Sequence, residues 1–504
     1  MANLTSRPSR RMFLLGGVAI GAIAAVGWSV YPQRLKAATG YDFETPLAIP
    51  MLDTGTMTDG IRVFDMAIAD GQTEFFSGLQ TPTRGVNGGY LGPTLRLRQG
   101  EVVRFNVANN LTEATTLHWH GVNLPATADG GPHQPIAPGA VWSPEFEIKD
   151  RAATMWYHSH LMGSTARQVW QGLAGMLVID DAASDALDIP KTYGVDDIPI
   201  VLQDRRFNRD GSMPYAPSMH DGMAGMIGNI PMVNGTILPY FDATTTQVRL
   251  RLLNGSNASI YGLEFNDGRA FHQIASDGGL LEAPIKLMHI KLAPGERAEI
   301  VVDLSDGKAV QLLSVARSTA PSGMGMGGMM QNVQSAEFTF MEIRPSATAV
   351  QSAALPAKLT ALAQVSSKDA VRTRNFLLEM GGMGMGSMMG GGGGFTINGA
   401  EMDMGVINET VKMGETEIWQ INNAGPMAHP FHVHNTQFRI LSRDGNAPEP
   451  HEAGRKDTVL VNPGETVQIL VKFEHYADPE RPYMYHCHIL EHEDSGMMGQ
   501  FTVV

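Results

Sequence analysis

Residues 248–254 read Val-Arg-Leu-Arg-Leu-Leu-Asn, an alternation of apolar and polar side chains that is typical of a half-buried β-strand. The pattern recurs in residues 102–107, Val-Val-Arg-Phe-Asn-Val, and in residues 415–423, Glu-Thr-Glu-Ile-Trp-Gln-Ile-Asn-Asn. Each copy has a Pro-Gly turn that leads into a further strand, at residues 138–139, 294–295 and 463–464. This threefold recurrence predicts an all-β chain built from three consecutive copies of one β-sandwich.

Length and composition fit this prediction. The chain has 504 residues, of which 43% are hydrophobic and 17% charged, so it is globular and too long for one core. A net charge of −14 argues against nucleic acid as a partner. We place the three domains at residues 42–183, 184–345 and 375–504, with an Ala/Ser-rich linker at residues 346–374.

The N-terminus looks like an export signal. Arg10 and Arg11 form a twin-arginine pattern, which an apolar stretch and the small pair Ala37-Ala38 follow. We predict a signal peptide over residues 1–38 and a mature protein in the bacterial periplasm. A membrane anchor is the alternative, but the apolar run of residues 12–28 is short for a bilayer span. We therefore expect no stable membrane association once the signal is removed.

Histidines occur two residues apart at four places. These pairs are His118 and His120, His158 and His160, His432 and His434, and His486 and His488. Residues i and i+2 of a strand share one face, so each pair projects two imidazoles the same way. Eight converging imidazoles can hold three copper ions, for which neutral imidazole is a suitable ligand. We interpret the isolated histidines as ordinary residues: His133, His220, His272, His289, His451 and His475.

Cys487 is the sole cysteine, so no intramolecular disulfide can form. It lies between His486 and His488 and therefore faces the other side of the same strand. His429 stands an odd number of residues before His432 and should face that side too. Together with His492 and Met497, these residues offer two imidazoles, one thiolate and one thioether, the ligand set of a blue-copper electron-transfer site.

The motifs HPFHVHNTQFRIL, at residues 429–441, and YHCHILEHEDSGMM, at residues 485–498, resemble the multicopper oxidase family. The resemblance runs from about residue 50 to the C-terminus and is closest to bacterial periplasmic cuprous oxidases. It implies three cupredoxin-like Greek-key β-sandwiches, with four copper ions and dioxygen as electron acceptor. The ligands it implies are His429, Cys487, His492 and Met497 for type 1 copper, His118 and His432 for type 2, and His120, His158 and His488 with His160, His434 and His486 for the type 3 pair.

Reduction of dioxygen to water consumes four protons, so a buried site needs acids nearby. By the same resemblance, Asp129 and Glu493 match the family's proton-delivering acids, and Asp494 is a weaker candidate. A carboxylate can shuttle protons when burial brings its pKa towards the working pH. The alternative is that these acids cap turns or face solvent.

The chain has 31 methionines, and many cluster. Thioether sulfur prefers Cu(I), although methionine also serves as adaptable core filler or as a flexible gate. We predict that substrate copper binds Met380, Met383, Met385, Met388, Met389 and Met427. Further clusters are Met324, Met326, Met329 and Met330, and Met213, Met219, Met223, Met226 and Met232. The chain departs from the cuprous oxidases at Gly425, where that group carries an acid.

These observations predict a multicopper oxidase that couples oxidation of Cu(I) to reduction of dioxygen and serves copper tolerance. A laccase-like oxidase of phenols or other organic donors shares the same ligands and is the first alternative. A copper-sequestering protein with methionine-rich storage segments is the second. We expect a monomer.

Overall fold

The computed structural model describes residues 42–316, 334, 336–362, 366–381 and 394–504. Contacts divide the chain into two units, residues 1–44 and residues 45–504, and only three residues of the first unit fall within the described ranges. The predicted signal peptide lies outside them. In the described residues, no helix is long and apolar enough to span a membrane.

The described residues are mostly β with few helices, as the sequence predicted. In the first part it forms β1 (Thr45–Pro46), β2 (Leu52–Asp53), β3 (Thr56–Thr58), β4 (Ile61–Phe76), β5 (Leu79–Val86), β6 (Thr94–Arg98), β7 (Val102–Asn109), β8 (His118–His120), β9 (Val141–Trp142), β10 (Glu145–Glu147), β11 (Ala153–His158) and β12 (Ala174–Asp180). One sheet has the order β2-β6-β12-β11-β8, and the other has β10-β7-β4-β3 with β5 and β9 at its sides. These two sheets are the first sandwich.

The second part supplies another pair of sheets. Its strands are β13 (Asp197–Arg205), β14 (Ile230–Val233), β15 (Thr236–Ile237), β16 (Pro239–Thr245), β17 (Gln247–Asn254), β18 (Tyr261–Phe265), β19 (Phe271–Ser276), β20 (Gly279–Leu287), β21 (Ile290–Leu292), β22 (Arg297–Asp303), β23 (Val310–Ser314) and β24 (Phe338–Val350). The sheet orders are β15-β14-β13-β17-β22-β19-β20 and β1-β16-β24-β23-β18-β21. This second sandwich thus also takes in the short strand β1.

The third part completes the fold. Its strands are β25 (Ala370–Met380), β26 (Phe395–Ile397), β27 (Glu409–Val411), β28 (Thr416–Asn423), β29 (His429–Val433), β30 (Arg439–Arg443), β31 (Thr458–Val461), β32 (Thr466–Lys472), β33 (Asp478–Cys487) and β34 (Met498–Val503). They form the sheets β26-β25-β28-β32-β30 and β27-β34-β33-β29-β31, the third sandwich. The three recurring stretches of the sequence are β7, β17 and β28, so the strand prediction is confirmed.

Helices are short. They are α1 (Thr165–Trp170), α2 (Ala182–Asp185), α3 (Met219–Ala224) and α4 (Leu490–Asp494), with 3-10 turns at Ala126–Ala128, Ser367–Asp369 and Pro450–Glu452. Both α1 and α3 pack on α4, which directly follows Cys487. One helix from each of the three parts of the chain therefore lies next to the predicted ligands.

The segment 346–374 that we predicted as a linker carries regular structure at both ends. β24 continues to Val350, and β25 begins at Ala370. Backbone pairing explains the difference, because Val350 lies opposite Thr245 and Ala370 opposite Thr416. Neighbouring strands thus impose extended structure on residues of weak β-propensity. The domain boundaries themselves stay a prediction.

Candidate metal centre

The paired histidines lie on neighbouring strands of the first and third sandwiches or within two residues of the ends of those strands. In the first sandwich β8 pairs with β11, so that His118 stands opposite His158. In the third, β29 pairs with β33, and His432 stands opposite His486. All eight paired histidines are buried, and we call them the inner site. The strand periodicity brings two imidazoles of each pair to one face, and the packing of the two sandwiches brings the faces together.

Three histidines of the inner site converge through their Nε2 atoms. The Nε2 atom of His486 lies 3.2 Å from that of His160 and 3.3 Å from that of His434. On the outer side, His434 Nδ1 donates to Asp129 at 2.9 Å, and His486 Nδ1 donates to the Cys487 carbonyl at 3.0 Å. Because these contacts occupy Nδ1, the lone pairs of Nε2 point at a common centre.

A second trio consists of His118, His120 and His158, whose ligand nitrogens all lie within 4.8 Å of one another. His120 Nε2 contacts the Asp457 carboxylate at 3.1 Å, which leaves its Nδ1 for a metal. His158 Nδ1 donates to the Ser159 carbonyl at 2.8 Å, which leaves its Nε2. The ring of His488 lies beside this trio, with centroid distances of 5.0 Å to His120 and 5.4 Å to His158.

The resemblance assigns His118 and His432 to type 2 copper. The ring of each is held by a hydrogen bond from Nδ1 to a main-chain carbonyl. His118 Nδ1 donates to the Asp129 carbonyl and His432 Nδ1 to the Asp457 carbonyl, each at 2.8 Å. The ligand nitrogens of both lie within 4.8 Å of each other and of His434. In both side chains Nε2 is therefore left for a metal.

The inner site fits a metal in its chemistry. Several ring nitrogens are buried without a hydrogen-bond partner among the described residues, a costly arrangement unless a metal binds there. Burial, reinforced by neighbouring imidazoles, holds the pKa of most of these histidines well below the usual range. They are His118, His120, His160, His434, His486 and His488. Neutral imidazoles have free lone pairs, and copper accepts such ligands.

A second cluster, which we call the outer site, contains His429, Cys487, His492 and Met497. Cys487 Sγ lies 3.4 Å from His429 Nδ1 and 3.7 Å from His492 Nδ1, and the two nitrogens lie 3.3 Å apart. The three side chains are fully buried. Met497 is also buried, and its carbonyl accepts from the Cys487 N–H at 3.0 Å.

Burial raises the pKa of the Cys487 thiol, because a thiolate is costly to remove from water. A bound metal ion would reverse this effect, since a coordinating thiol is deprotonated. The outer site therefore also fits a metal that accepts sulfur and imidazole. Cys487 joins it covalently to the inner site, because His486 and His488 are its chain neighbours.

The two predicted proton-delivering acids lie at the inner site. Asp129 is 2% exposed and contacts His434, while Glu493 is fully buried, 3.2 Å from His160 Nδ1 and 3.3 Å from His486 Nδ1. Burial raises the pKa of both carboxyl groups well above the usual range. Neither faces solvent. Asp494 instead accepts from the main-chain N–H groups of Thr165 and Ala166, so it holds the start of α1.

Sequence reasoning missed Asp457 and Arg297. Asp457 contacts His120, and the Arg297 guanidinium donates to both its oxygens at 2.7 and 2.6 Å. Arg297 follows the turn residue Gly295, where a Cβ would lie 2.8 Å from His488. The recurring Pro-Gly turn was a usable signal for this arginine. Nothing in the sequence distinguishes Asp457 from other acids, because its partners come from other parts of the chain.

Of the predicted substrate methionines, Met380 and Met427 are described; Met383, Met385, Met388 and Met389 lie outside the described residues. So does the cluster Met324, Met326, Met329 and Met330. Met427 is buried two residues before His429. A Cβ at Gly425 would lie 3.3 Å from His429 Nε2 and 3.4 Å from Met380 Cγ. Met380 and His429 thus meet above Gly425, at the edge of the outer site.

Comparisons with known proteins agree with this geometry. Models of the multicopper oxidase family match residues 67–184 and 358–504. A relative named multicopper oxidase mco, from Staphylococcus haemolyticus, is 37% identical over 88% of this chain and 89% of its own length. The cell division protein FtsP of Escherichia coli is 35% identical over 98% of both chains.

Solved structures give the same result. A laccase-like multicopper oxidase, CueO, from the lignin-degrading bacterium Ochrobactrum is 38% identical, with a TM-score of 0.81 over 91% of this chain and 100% of its own. A multicopper oxidase from Campylobacter jejuni, described as a metallo-oxidase, is 28% identical, with a TM-score of 0.78 over 92% and 96% of the two chains. Sequence and fold thus agree over most of the molecule.

Proposed function

Because the chain belongs to the multicopper oxidase family, we propose that it oxidises Cu(I) at the outer site and reduces dioxygen to water at the inner site. The proposal assigns one type 1 copper to the outer site and one type 2 and two type 3 coppers to the inner site. Bound copper would accept single electrons from the donor and supply the redox chemistry of oxygen reduction. The family membership that the motifs predicted is confirmed, and the chain is an oxidoreductase.

One observation carries the proposal: the two sites share a single peptide segment. Cys487 Sγ faces His429 and His492, while the flanking His486 and His488 face the inner site. An electron that reaches the sulfur therefore crosses one backbone link to the inner site. A protein that only stores copper has no need of such a connection, so this geometry favours oxidase activity over sequestration.

The acids supply the protons. Glu493 stands against the outer nitrogens of His160 and His486, and Asp129 stands against His434. Water exclusion around them raises both pKa values, so each carboxyl group can hold a proton that a solvated carboxyl would lose. We propose that these two groups pass protons towards oxygen bound between the histidines.

Soft sulfur ligands support Cu(I) as the donor. Met380 lies against the space above Gly425, next to His429 Nε2, and Met427 is packed just before His429. Thioethers select Cu(I) over harder cations. The description of the Campylobacter protein as a metallo-oxidase adds to this support. With the twin-arginine pattern of the sequence, the proposal is a periplasmic enzyme that contributes to copper tolerance.

Oxidation of phenolic donors is the competing function, and Gly425 favours it. Glycine offers no carboxylate to hold a copper ion, and it leaves the edge of His429 without side-chain cover from that position. The Ochrobactrum relative has oxidase activity towards lignin model compounds. The FtsP relatives point to a role in cell division, which the buried ligand clusters of this chain do not explain.

Steady-state oxygen uptake by the copper-loaded protein tests the proposal. We expect a kcat/KM for Cu(I) well above that for a substituted phenol. Each donor solution is equilibrated with argon before it is added to the assay, and the concentration of free copper is defined. The Cys487→Ser variant is the control, because uncatalysed oxidation of Cu(I) by oxygen continues in its presence. A higher kcat/KM for the phenol would assign the laccase-like function, and no uptake with either donor would reject oxidase activity.

A further inference from the structure

Helix α3 in the second sandwich presents a group of soft ligands that the proposed chemistry has not used. The helix runs Met219-His220-Asp221-Gly222-Met223-Ala224. Its stretch of the chain holds five methionines, of which Met213, Met226 and Met232 are buried and serve as core filler. Met219, in contrast, is 85% exposed. His220 is exposed and Met223 half-buried, so solvent reaches all three side chains.

Spacing brings the three ligands to one side of the helix. Met219 and Met223 are four residues apart, and His220 and Met223 are three apart, so Met223 is a neighbour of both on the helix surface. The remaining polar residue, Asp221, is buried and committed elsewhere. It closes a capping box with Ser218 and accepts from Arg206 at 2.6 and 2.9 Å. The helix thus offers two thioethers and one imidazole, and its single carboxylate is occupied.

The helix touches the outer site directly. The Met223 carbonyl accepts from His492 Nε2 at 2.9 Å. Gly225, with φ of 81°, ends the helix so close to α4 that a Cβ there would lie 2.8 Å from Ile489 Cγ2. His429, the other imidazole of the outer site, differs from His492, because its Nε2 has no hydrogen-bond partner among the described residues. His492, not His429, is therefore the imidazole that a surface element contacts through a hydrogen bond.

We propose that Met219, His220 and Met223 form a docking site for Cu(I) and deliver its electron to His492. The inference rests on the proposed oxidation of Cu(I) and names where that substrate binds. Two thioethers and an imidazole suit Cu(I). The main-chain contact from Met223 to His492 gives the electron a short route from this site to the outer site.

The step balances without a further reagent. Each docked Cu(I) loses one electron through His492 and leaves as Cu(II), and four such events with four protons reduce one dioxygen to two waters. Release of the product follows from the ligand set. Cu(II) prefers nitrogen and oxygen ligands to thioethers, and Asp221 is engaged by Arg206. The site therefore binds the reduced ion better than the oxidised one.

Binding of Ag(I), a redox-inert substitute for Cu(I), tests the site separately from turnover. The protein is loaded with copper, fully reduced under argon and labelled with ¹³C in its methionine methyl groups. We expect an equimolar amount of Ag(I) to shift the Met219 and Met223 signals, assigned through the Met219→Leu and Met223→Leu variants. The signal of Met288, which is 61% exposed and lies outside the helix, should stay unchanged. Shifts at other methionines without a change at Met219 and Met223 would overturn the proposal.

Kinetics then connect the site to function. Leucine keeps the size of methionine but removes the sulfur, so the Met219→Leu/Met223→Leu protein should lose about tenfold in kcat/KM for Cu(I), or roughly 1.4 kcal/mol. Its kcat/KM for a phenol should not change, and Met288→Leu should change neither value. An unaltered kcat/KM for Cu(I) in the double variant would refute the docking site. If the unmodified protein fails to oxidise Cu(I), the proposed function is wrong, and the Ag(I) shifts alone decide whether the site exists.

Discussion

Most buried imidazoles of the inner site commit one ring nitrogen to the protein, and this decides which nitrogen remains for a metal. His434 gives Nδ1 to Asp129 and keeps Nε2, whereas His120 gives Nε2 to Asp457 and keeps Nδ1. The partner of each ring is thus as important as the ring itself. The carboxylates of Asp129 and Asp457 do more than balance charge, because they fix which tautomer His434 and His120 adopt.

Asp457→Asn tests this role. We expect a loss of inner-site copper or activity of about 10–100-fold, while the visible absorption of the outer site is retained. Removing the carboxylate also takes the closest counter-charge from buried Arg297 and leaves Asp277 at 3.8 Å, at a cost of up to about 3–5 kcal/mol.

The Asp457→Asn/Arg297→Gln protein separates the two effects of that substitution. It should recover much of the lost Tm but not the lost copper, as measured by thermal unfolding and metal analysis. If full copper occupancy returned with the Tm, Asp457 would have a purely structural role.

Cys487→Ser should abolish both the intense visible absorption and all donor-dependent oxygen uptake. The absorption arises from a thiolate bound to copper, and Cys487 is the sole thiol in the chain. Copper analysis of the same protein should still find the inner site filled. Turnover in this variant would disprove the outer-site assignment.

Asp129→Asn and Glu493→Gln examine proton supply. Both substitutions remove a titratable proton but keep the shape of the side chain, so oxygen reduction should slow by about 10²-fold or more. The absorption of the outer site should be largely unaffected, because neither residue contacts Cys487 through a hydrogen bond. Unchanged turnover in both variants would leave these acids with a structural role.

At the scale of elements, the short helices place surface chemistry against the buried ligands. Helix α4 follows Cys487 and carries His492, and α3 packs on it from the second sandwich. The contact depends on Gly225, which takes a left-handed conformation where a side chain would collide with Ala258 and Ile489. Gly222 within the helix has open space instead.

Gly225→Ala should therefore displace α3 at a cost of about 1–3 kcal/mol and lower kcat/KM for Cu(I). Gly222→Ala is the matched control, since alanine favours a helix by up to about 1 kcal/mol and meets no neighbour there. Thermal unfolding and oxygen uptake distinguish the two variants. Equal behaviour would show that the position of α3 is irrelevant to the outer site.

At the scale of the whole molecule, the inner site joins two sandwiches that are distant in sequence. The first sandwich and its loops contribute His118, His120, His158 and His160, and the third contributes the other four ligands. Tyr483 adds a direct contact, since its hydroxyl donates to the Leu124 carbonyl at 2.8 Å. A metal bound to histidines of both sandwiches therefore acts as a cross-link between them.

Copper removal should loosen that interface. A ligand that binds only the folded protein stabilises it by about 2.7 kcal/mol at roughly 100 times its Kd, so the copper-free protein should have a lower Tm. Amide exchange should rise most in β8 and β29. The strands of the second sandwich, which carry none of the predicted ligands, are the internal control. A uniform rise across all three sandwiches would contradict a localised cross-link.

The sequence alone determined the all-β class, the strands β7, β17 and β28, and the histidine pairs. Each of these depends on an alternation with a period of two residues, which can be recognised from neighbouring residues alone. The spacing around Cys487 likewise predicted that it would face away from His486 and His488. Local periodicity needs no knowledge of distant partners.

Tertiary structure alone decided the rest. Strand pairing extended β24 and β25 into the predicted linker, and packing brought Asp457 and Arg297 to His120 across more than a hundred residues of chain. It also set the Met223 carbonyl against His492, which no spacing rule connects. These contacts join segments whose separation in sequence carries no information about their separation in space, because the fold of the intervening sandwiches sets the distance between them.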